Sequence, residues 1–200
     1  GGVEVARRLR DGFEGGGESG GDLAVLADGA IGSLTAEGVV VAATVRPLFA
    51  SQVCVAVPEG AATAQLRTED ELRALLLGAR RVAYSTGPSG TAVLELLERW
   101  GLGEVLASRL VQAPAGVPVG SLVAEGEADL GFQQHSELVG VPGLRVLGPL
   151  PGEAAITSVF SGAVLTRAAH PEAAARVLAF LGSSAAAASI TRHGMSPAWL

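Results

Sequence analysis

An α/β fold is the expectation for this chain, and three observations carry it. Short apolar runs of strand length alternate with amphipathic stretches of helical period. Glycine or proline punctuates nearly every junction between them, with 28 Gly and 10 Pro in 200 residues. Hydrophobic residues make up 48% of the chain, enough for a substantial core in one large domain or two small lobes.

The elements follow in order. A charged, amphipathic stretch over 5–10 reads as a surface helix with no strand before it. A βα fold rarely starts that way, so an N-terminal βαβ of about 30 or more residues is expected to be missing. The Gly-rich stretch 15–21 reads as a flexible surface loop. Residues 22–27 (DLAVLA) form a buried strand, and 31–37 a short helix stopped by Gly38. A second strand is expected over 53–57, closed by Pro58-Glu59-Gly60. Thr68-Glu69-Asp70-Glu71 fits a capping box and opens a helix with Leu72, Leu75 and Leu76 on one face.

Residues 81–84 form the next strand. After the turn at 85–89 comes a helix that buries Val93, Leu96, Leu97 and Trp100 and stops at Gly101. A strand lies within 105–112, a helix over 119–125, a strand over 128–132 that runs out at Gln133, and another over 144–147. Residues 155–165 read as a long strand rich in Val, Ile, Thr and Phe. Pro171 at a helix start opens a helix with Ala174, Val177, Leu178 and Leu181 inward, and an Ala-rich helix over 184–193 stops at Gly194. Repeated βα units predict mostly parallel strands.

Composition excludes several function classes. Fourteen arginines and no lysine stand against 20 acidic residues, for a net charge of −6. Without a basic stripe, nucleic-acid binding by this segment is not expected. The single cysteine, Cys54, rules out an internal disulfide or a CxxC centre and reads as a small buried hydrophobe. No uninterrupted apolar run reaches the ~18 residues of a membrane span, and the first residues do not have the pattern of an export signal.

Three segments have the residue types of a binding site. Tyr84-Ser85-Thr86-Gly87-Pro88-Ser89-Gly90-Thr91 lies between a strand and a helix. There Ser85, Thr86, Gly87, Ser89, Gly90 and Thr91 supply hydroxyls and amides for an anion. It is not a Walker A loop, having neither the spacing nor a lysine. An ordinary turn with Ser and Pro at a helix start is the bland alternative. Gly131-Phe132-Gln133-Gln134-His135-Ser136-Glu137 again lies just past a strand end. Gln133, Gln134 and His135 offer polar groups without fixed charge, and strand alternation sends the two glutamines to opposite faces. Its alternative is a solvated turn. Gly116-Val117-Pro118-Val119 opens the next helix, where Val117 could add a backbone donor although Pro118 has none.

No catalytic signature is present. The chain has no GxSxG, no HExxH and no spaced carboxylate pair. His170 and His193 sit at helix termini and read as structural. A protein-built metal site and a cofactor are not expected.

The segments 82–90 (VAYSTGPSG) and 126–134 (GEADLGFQQ), with the ending RHGMSP at 192–197, resemble the molybdate-binding-protein-like branch of type II periplasmic binding proteins. Residues 1–12 and 22–26 resemble the second helix and third strand of that branch. The resemblance implies two α/β lobes joined by two crossover strands, with a small anion closed between them. Mapped here, lobe one takes 1–53 plus 157–200, lobe two takes 54–156, and the crossovers are 53–57 and 155–165. It implies that the ligand is held by hydroxyls and backbone amides around Ser85–Thr91, near Val117, and at Gln133–His135. Molybdate binders often carry tyrosine where this chain has Gln134, a departure that suits a different oxyanion or a small carboxylate.

The implied function is capture of a small anionic ligand for an ABC-type importer permease, outside the cytoplasm if a leader has been lost and cytoplasmic otherwise. An enzyme on the same scaffold, of dehydratase or cyclase type with His135 as acid–base group, is the less favoured alternative. So is the ligand-sensing domain of a transcription regulator. The residues preceding Gly1 would discriminate among the three: a lipobox, a bare βαβ or a helix-turn-helix.

Overall fold

A computed structural model describes residues 2–14, 21–61 and 65–199. Residues 15–20 of the expected glycine-rich loop lie outside the described residues. The elements in chain order are α1 (Gly2–Glu14), β1 (Leu23–Ala27), α2 (Asp28–Ala36), β2 (Arg46–Pro58), α3 (Glu69–Gly78), β3 (Val82–Tyr84) and α4 (Pro88–Arg99). Next come α5 (Gly103–Leu106), β4 (Leu110–Gln112), α6 (Val119–Ala124), β5 (Leu130–Gln134), α7 (His135–Leu138) and β6 (Leu144–Pro149). The chain ends with β7 (Thr157–Val164), α8 (Pro171–Leu181), α9 (Ser184–Arg192) and β8 (Ser196–Pro197). It divides into two compact units, Gly1–Ala50 with Ser158–Leu200, and Ser51–Thr157.

In the first unit β1 runs antiparallel to β7, from Leu23 opposite Val164 to Ala27 opposite Phe160. Strand alternation sends Ala24 and Leu26 into a core with Ile31 and Leu34 of α2 and Ala6 of α1. Leu23 and Val25 pack on the other face with Ala174 and Leu178 of α8. Gly162 of β7 is required by that second packing, because a Cβ there would stand 2.6 Å from Leu178 Cδ2 and 2.7 Å from Leu48 Cδ1. The helices α8 and α9 are apolar, but a 68° bend separates them, and no single helix among the described residues is long and apolar enough to cross a membrane.

In the second unit β5 lies between β2 and β3, β4 lies beyond β3, and β6 lies on the other side of β2. Each strand serves two cores. Val53, Val55, Val57, Val82, Leu130 and Phe132 face α3 and α4. On the opposite face, Ala83 joins Val119, Leu122 and Val123 of α6, and Cys54 and Ala56 join Leu138 of α7.

Among the described pairings, β3 with β4 and β3 with β5 are parallel, whereas β1 with β7 and β2 with β5, β6 and β8 are antiparallel, which corrects the expectation of mostly parallel strands. The cause is β2. It belongs to both units and enters the second one running opposite to the strands that βα turns build, so its pairs with β5 and β6 there are antiparallel; in the first unit it pairs antiparallel with β8. It is also 13 residues long, where apolar patterning marked only 53–57. Pro47, Ser51 and Gln52 break the apolar run, and partner strands supply the extension. Similarly, β5 continues through Gln133 and Gln134, which pair with Cys54 and Val53.

Local chemistry accounts for the remaining joints. The capping box at α3 is complete: Thr68 Oγ1 accepts the Glu71 N–H at 3.2 Å, and Glu71 Oε2 accepts the Thr68 N–H at 3.1 Å. At the far end of α3, Arg109 donates to the carbonyls of Leu77 and Ala79. Asp129, just before β5, accepts the N–H groups of Arg80 and Arg81 at 2.7 and 3.0 Å and pairs with the Arg80 guanidinium at 2.9 Å. That clamp joins the amino ends of β3 and β5. Gly131 lets α6 settle on β5, because a Cβ there would meet Val119 Cγ1 at 2.5 Å and Val123 Cγ2 at 2.8 Å.

Two outcomes are expected. Gly131→Ala overpacks the α6 contact and lowers stability by about 1–3 kcal/mol; an unchanged urea midpoint would reject this account of the packing. The second concerns acid. The bond to Arg80, followed by the two backbone donors, holds the Asp129 carboxyl below its ordinary range. Its contribution is therefore complete above the ordinary carboxylate pKa and is lost as pH falls through the lower folded value. Stability of the wild type should drop below about pH 5 more steeply than that of Asp129→Asn. Parallel acid limbs in chemical denaturation would refute the clamp.

Candidate functional site

The parallel register places Tyr84 opposite Phe132 on one side and Gln112 on the other. The turns that leave β3, β4 and β5 therefore emerge at one end of the sheet, where an open α/β sheet presents ligand-binding groups. The ten residues singled out from the sequence lie in or beside those turns: Ser85, Thr86 and Gly87 between β3 and α4, Ser89, Gly90 and Thr91 in the first turn of α4, Val117 just before α6, Gln133 and Gln134 at the end of β5, and His135 at the start of α7.

In the β3–α4 turn, Ser85 Oγ and Ser89 Oγ share a hydrogen bond at 3.0 Å, and Ser89 is buried. Gly90 is obligatory here. A Cβ on it would stand 1.8 Å from the Ser85 carbonyl oxygen, so the turn folds back onto the first turn of α4 only because no side chain intervenes. The helix begins at Pro88 with Gly87 as N-cap and no side-chain cap. The N–H groups of Gly90 and Thr91 both bond the Gly87 carbonyl, so these two predicted donors serve the helix itself. Among the described residues, the N–H groups of Thr86, Gly87 and Ser89 have no hydrogen bond to the protein. Thr86 and Thr91 are exposed.

The two glutamines divide as strand alternation predicts. Gln133 is buried on the α6 face, where its Oε1 accepts the Gly120 N–H at 3.1 Å. It thus caps a helix whose own N-cap, Pro118, has no side-chain acceptor. Gln134 is buried on the other face of β5, which it shares with Phe132 and the core under α4. His135 is half-buried and begins α7. Val117 is 40% exposed, and its N–H bonds Pro114 O at 2.9 Å, so this position presents a side chain rather than an open donor.

Fixed positive charge stands elsewhere. Arg80, Arg81 and Arg109 precede the amino ends of β3 and β4, and Arg145 pairs with Val57 at the far end of β2. The strand-end groups are thus hydroxyls, amides and one imidazole. No cluster of three metal-ligating side chains occurs among the described residues. Burial pushes the Cys54 thiol up to about 11, which leaves it un-ionised at neutral pH.

Two buried serines were not identified from the sequence. Ser161 Oγ in the first unit donates to Asp28 Oδ1 at 2.6 Å. Ser51 in the second lies 3.3 Å from Ser136 Oγ. The available signal was a small polar residue inside an apolar strand, which also describes an ordinary buried serine.

Residues 1–196 match the family described as bacterial extracellular solute-binding protein. The chain belongs to that family. It is 36% identical over 177 residues to an aconitate isomerase from Pseudomonas sp, covering 88% of this chain and 67% of that protein. The periplasmic molybdate-binding protein of Azotobacter vinelandii superposes with a TM-score of 0.73 at 20% identity, over 97% of this chain and 83% of that one. The substrate-binding domain assigned to a molybdenum ABC transporter of Clostridium difficile gives 0.72 at 18% identity, over 98% and 82%. Likeness at these identities establishes a fold, and here it is that of the type II periplasmic binding proteins.

In this member of the family, Gly90→Ala is expected to displace the Ser85 carbonyl and open the turn. The change should appear as faster amide hydrogen exchange confined to residues 85–91. Unchanged exchange there would contradict the close approach.

Proposed function

We propose that the chain captures a small anion with hydroxyls and main-chain amides at the carboxyl ends of β3 and β5, and delivers it outside the cytoplasm to an ABC-type importer. Membership of the solute-binding family supports the binding role. The observation that carries the choice of site is the separation of charge in the second unit. The Ser85–Ser89 turn and the Gln134–His135 segment share one end of the sheet, while the arginines placed by strand register stand at the other. Oriented neutral donors bind an anion without the strong, non-selective attraction of a fixed cation.

A small polycarboxylate is the favoured ligand class. The relative at 36% identity is named for aconitate, and Gln134 replaces the tyrosine that molybdate binders often carry. That same relative favours a second reading, an isomerase of an unsaturated carboxylate, in which His135 handles the proton.

Isothermal titration of the full-length protein with cis-aconitate, trans-aconitate, citrate, molybdate, tungstate and sulfate tests the first reading. Saturable one-to-one binding of a carboxylate is expected, weakened about tenfold or more by Ser85→Ala. Absence of heat with all six anions would overturn it. Proton NMR of cis-aconitate incubated with the protein tests the second: growth of the trans isomer, lost in His135→Ala, establishes catalysis, and a constant spectrum removes it.

A further inference from the structure

We propose that Ser51 is a positioning residue for His135, a role that rests on the reading of the β5 end as the binding site. Ser51 is the first residue of the second unit. It is 1% exposed in a strand whose next five residues, apart from Gln52, are apolar and buried. A hydroxyl in such a place needs a partner. It finds one in the first turn of α7, where Ser51 Oγ lies 3.3 Å from Ser136 Oγ and 3.5 Å from the Ser136 nitrogen.

The helix α7 cannot fix its own start. It has four residues, and its N-cap, Gln134, makes no side-chain cap bond. A single helical turn is not stable by propensity and takes its position from tertiary contacts. Leu138, buried against Cys54 and Ala56, anchors its last residue. Ser51 supplies the contact at the first turn, accepting the Ser136 N–H as an N-cap side chain would. His135 immediately precedes that amide, so the direction in which the imidazole leaves β5 depends on the Ser51 hydroxyl. Both contacts are long, and Ser51 therefore biases the turn rather than locking it.

The test compares Ser51→Ala with Ser51→Thr, which keeps the hydroxyl, in the full-length protein well below its melting temperature. In Ser51→Ala, the His135 Cε1–H resonance should shift, and the Ser136 amide should exchange faster. Affinity for the best carboxylate from the titration should fall about threefold to tenfold. Ser51→Thr should restore the His135 signal. A lower melting temperature with an unmoved His135 resonance would overturn the proposal and leave Ser51 a packing residue. The NMR readouts need no ligand: a shifted His135 in a protein that binds none of the anions would uphold the positioning role and reject the proposed function.

Discussion

The parallel pairing of β3 with β5 is the constraint on which the second unit depends. Its register is held at the amino ends, where the Asp129 carboxylate gathers two backbone N–H groups and the Arg80 guanidinium. With Val82 opposite Leu130 and Tyr84 opposite Phe132, the serine turn and the Gln133–His135 segment emerge side by side. A one-residue slip would exchange the faces of β5 and send Gln133 toward α4 and Gln134 toward α6. Charge at one end of the sheet thus determines which uncharged groups meet at the other.

Glycine sets the spacing of the layers. Gly131 admits α6 onto β5, Gly90 admits the Ser85 carbonyl against α4, and Gly162 performs the same service for α8 in the first unit. None of the three needs a positive φ. Their common role is close approach, which places a rigid element over each strand and leaves the intervening turn little freedom. A turn held in this way can keep hydroxyls and amides oriented before a ligand arrives, which lowers the entropy that binding must offset.

Several elements were readable from local chemistry. Thr68 and Glu71 announce the start of α3, and both reciprocal bonds form. The spacing of Val93, Leu96 and Leu97 identifies the buried face of α4. Gly38, Gly101 and Gly194 follow their helices with φ near +70°. The turns that could bear a ligand were equally visible, since a strand followed by Ser, Gly and Pro has a distinctive composition. Less visible were the use of the Gly90 and Thr91 amides within α4 and the capping of Gly120 by Gln133. Those depend on which groups come within 3 Å or so of one another.

By itself, the sequence determined the α/β class, the family resemblance, the position of most helices and the segments rich in neutral donors. These follow from periodicity, capping and turn residues, which act over a few positions along the chain. Only the tertiary structure decided the full length of β2, its antiparallel pairing, the faces taken by Gln133 and Gln134, and the contact of Ser51 with α7. Each of these is a meeting of residues far apart in sequence. Ser51 and Ser136 are separated by 85 positions, and no local preference of either residue specifies its partner.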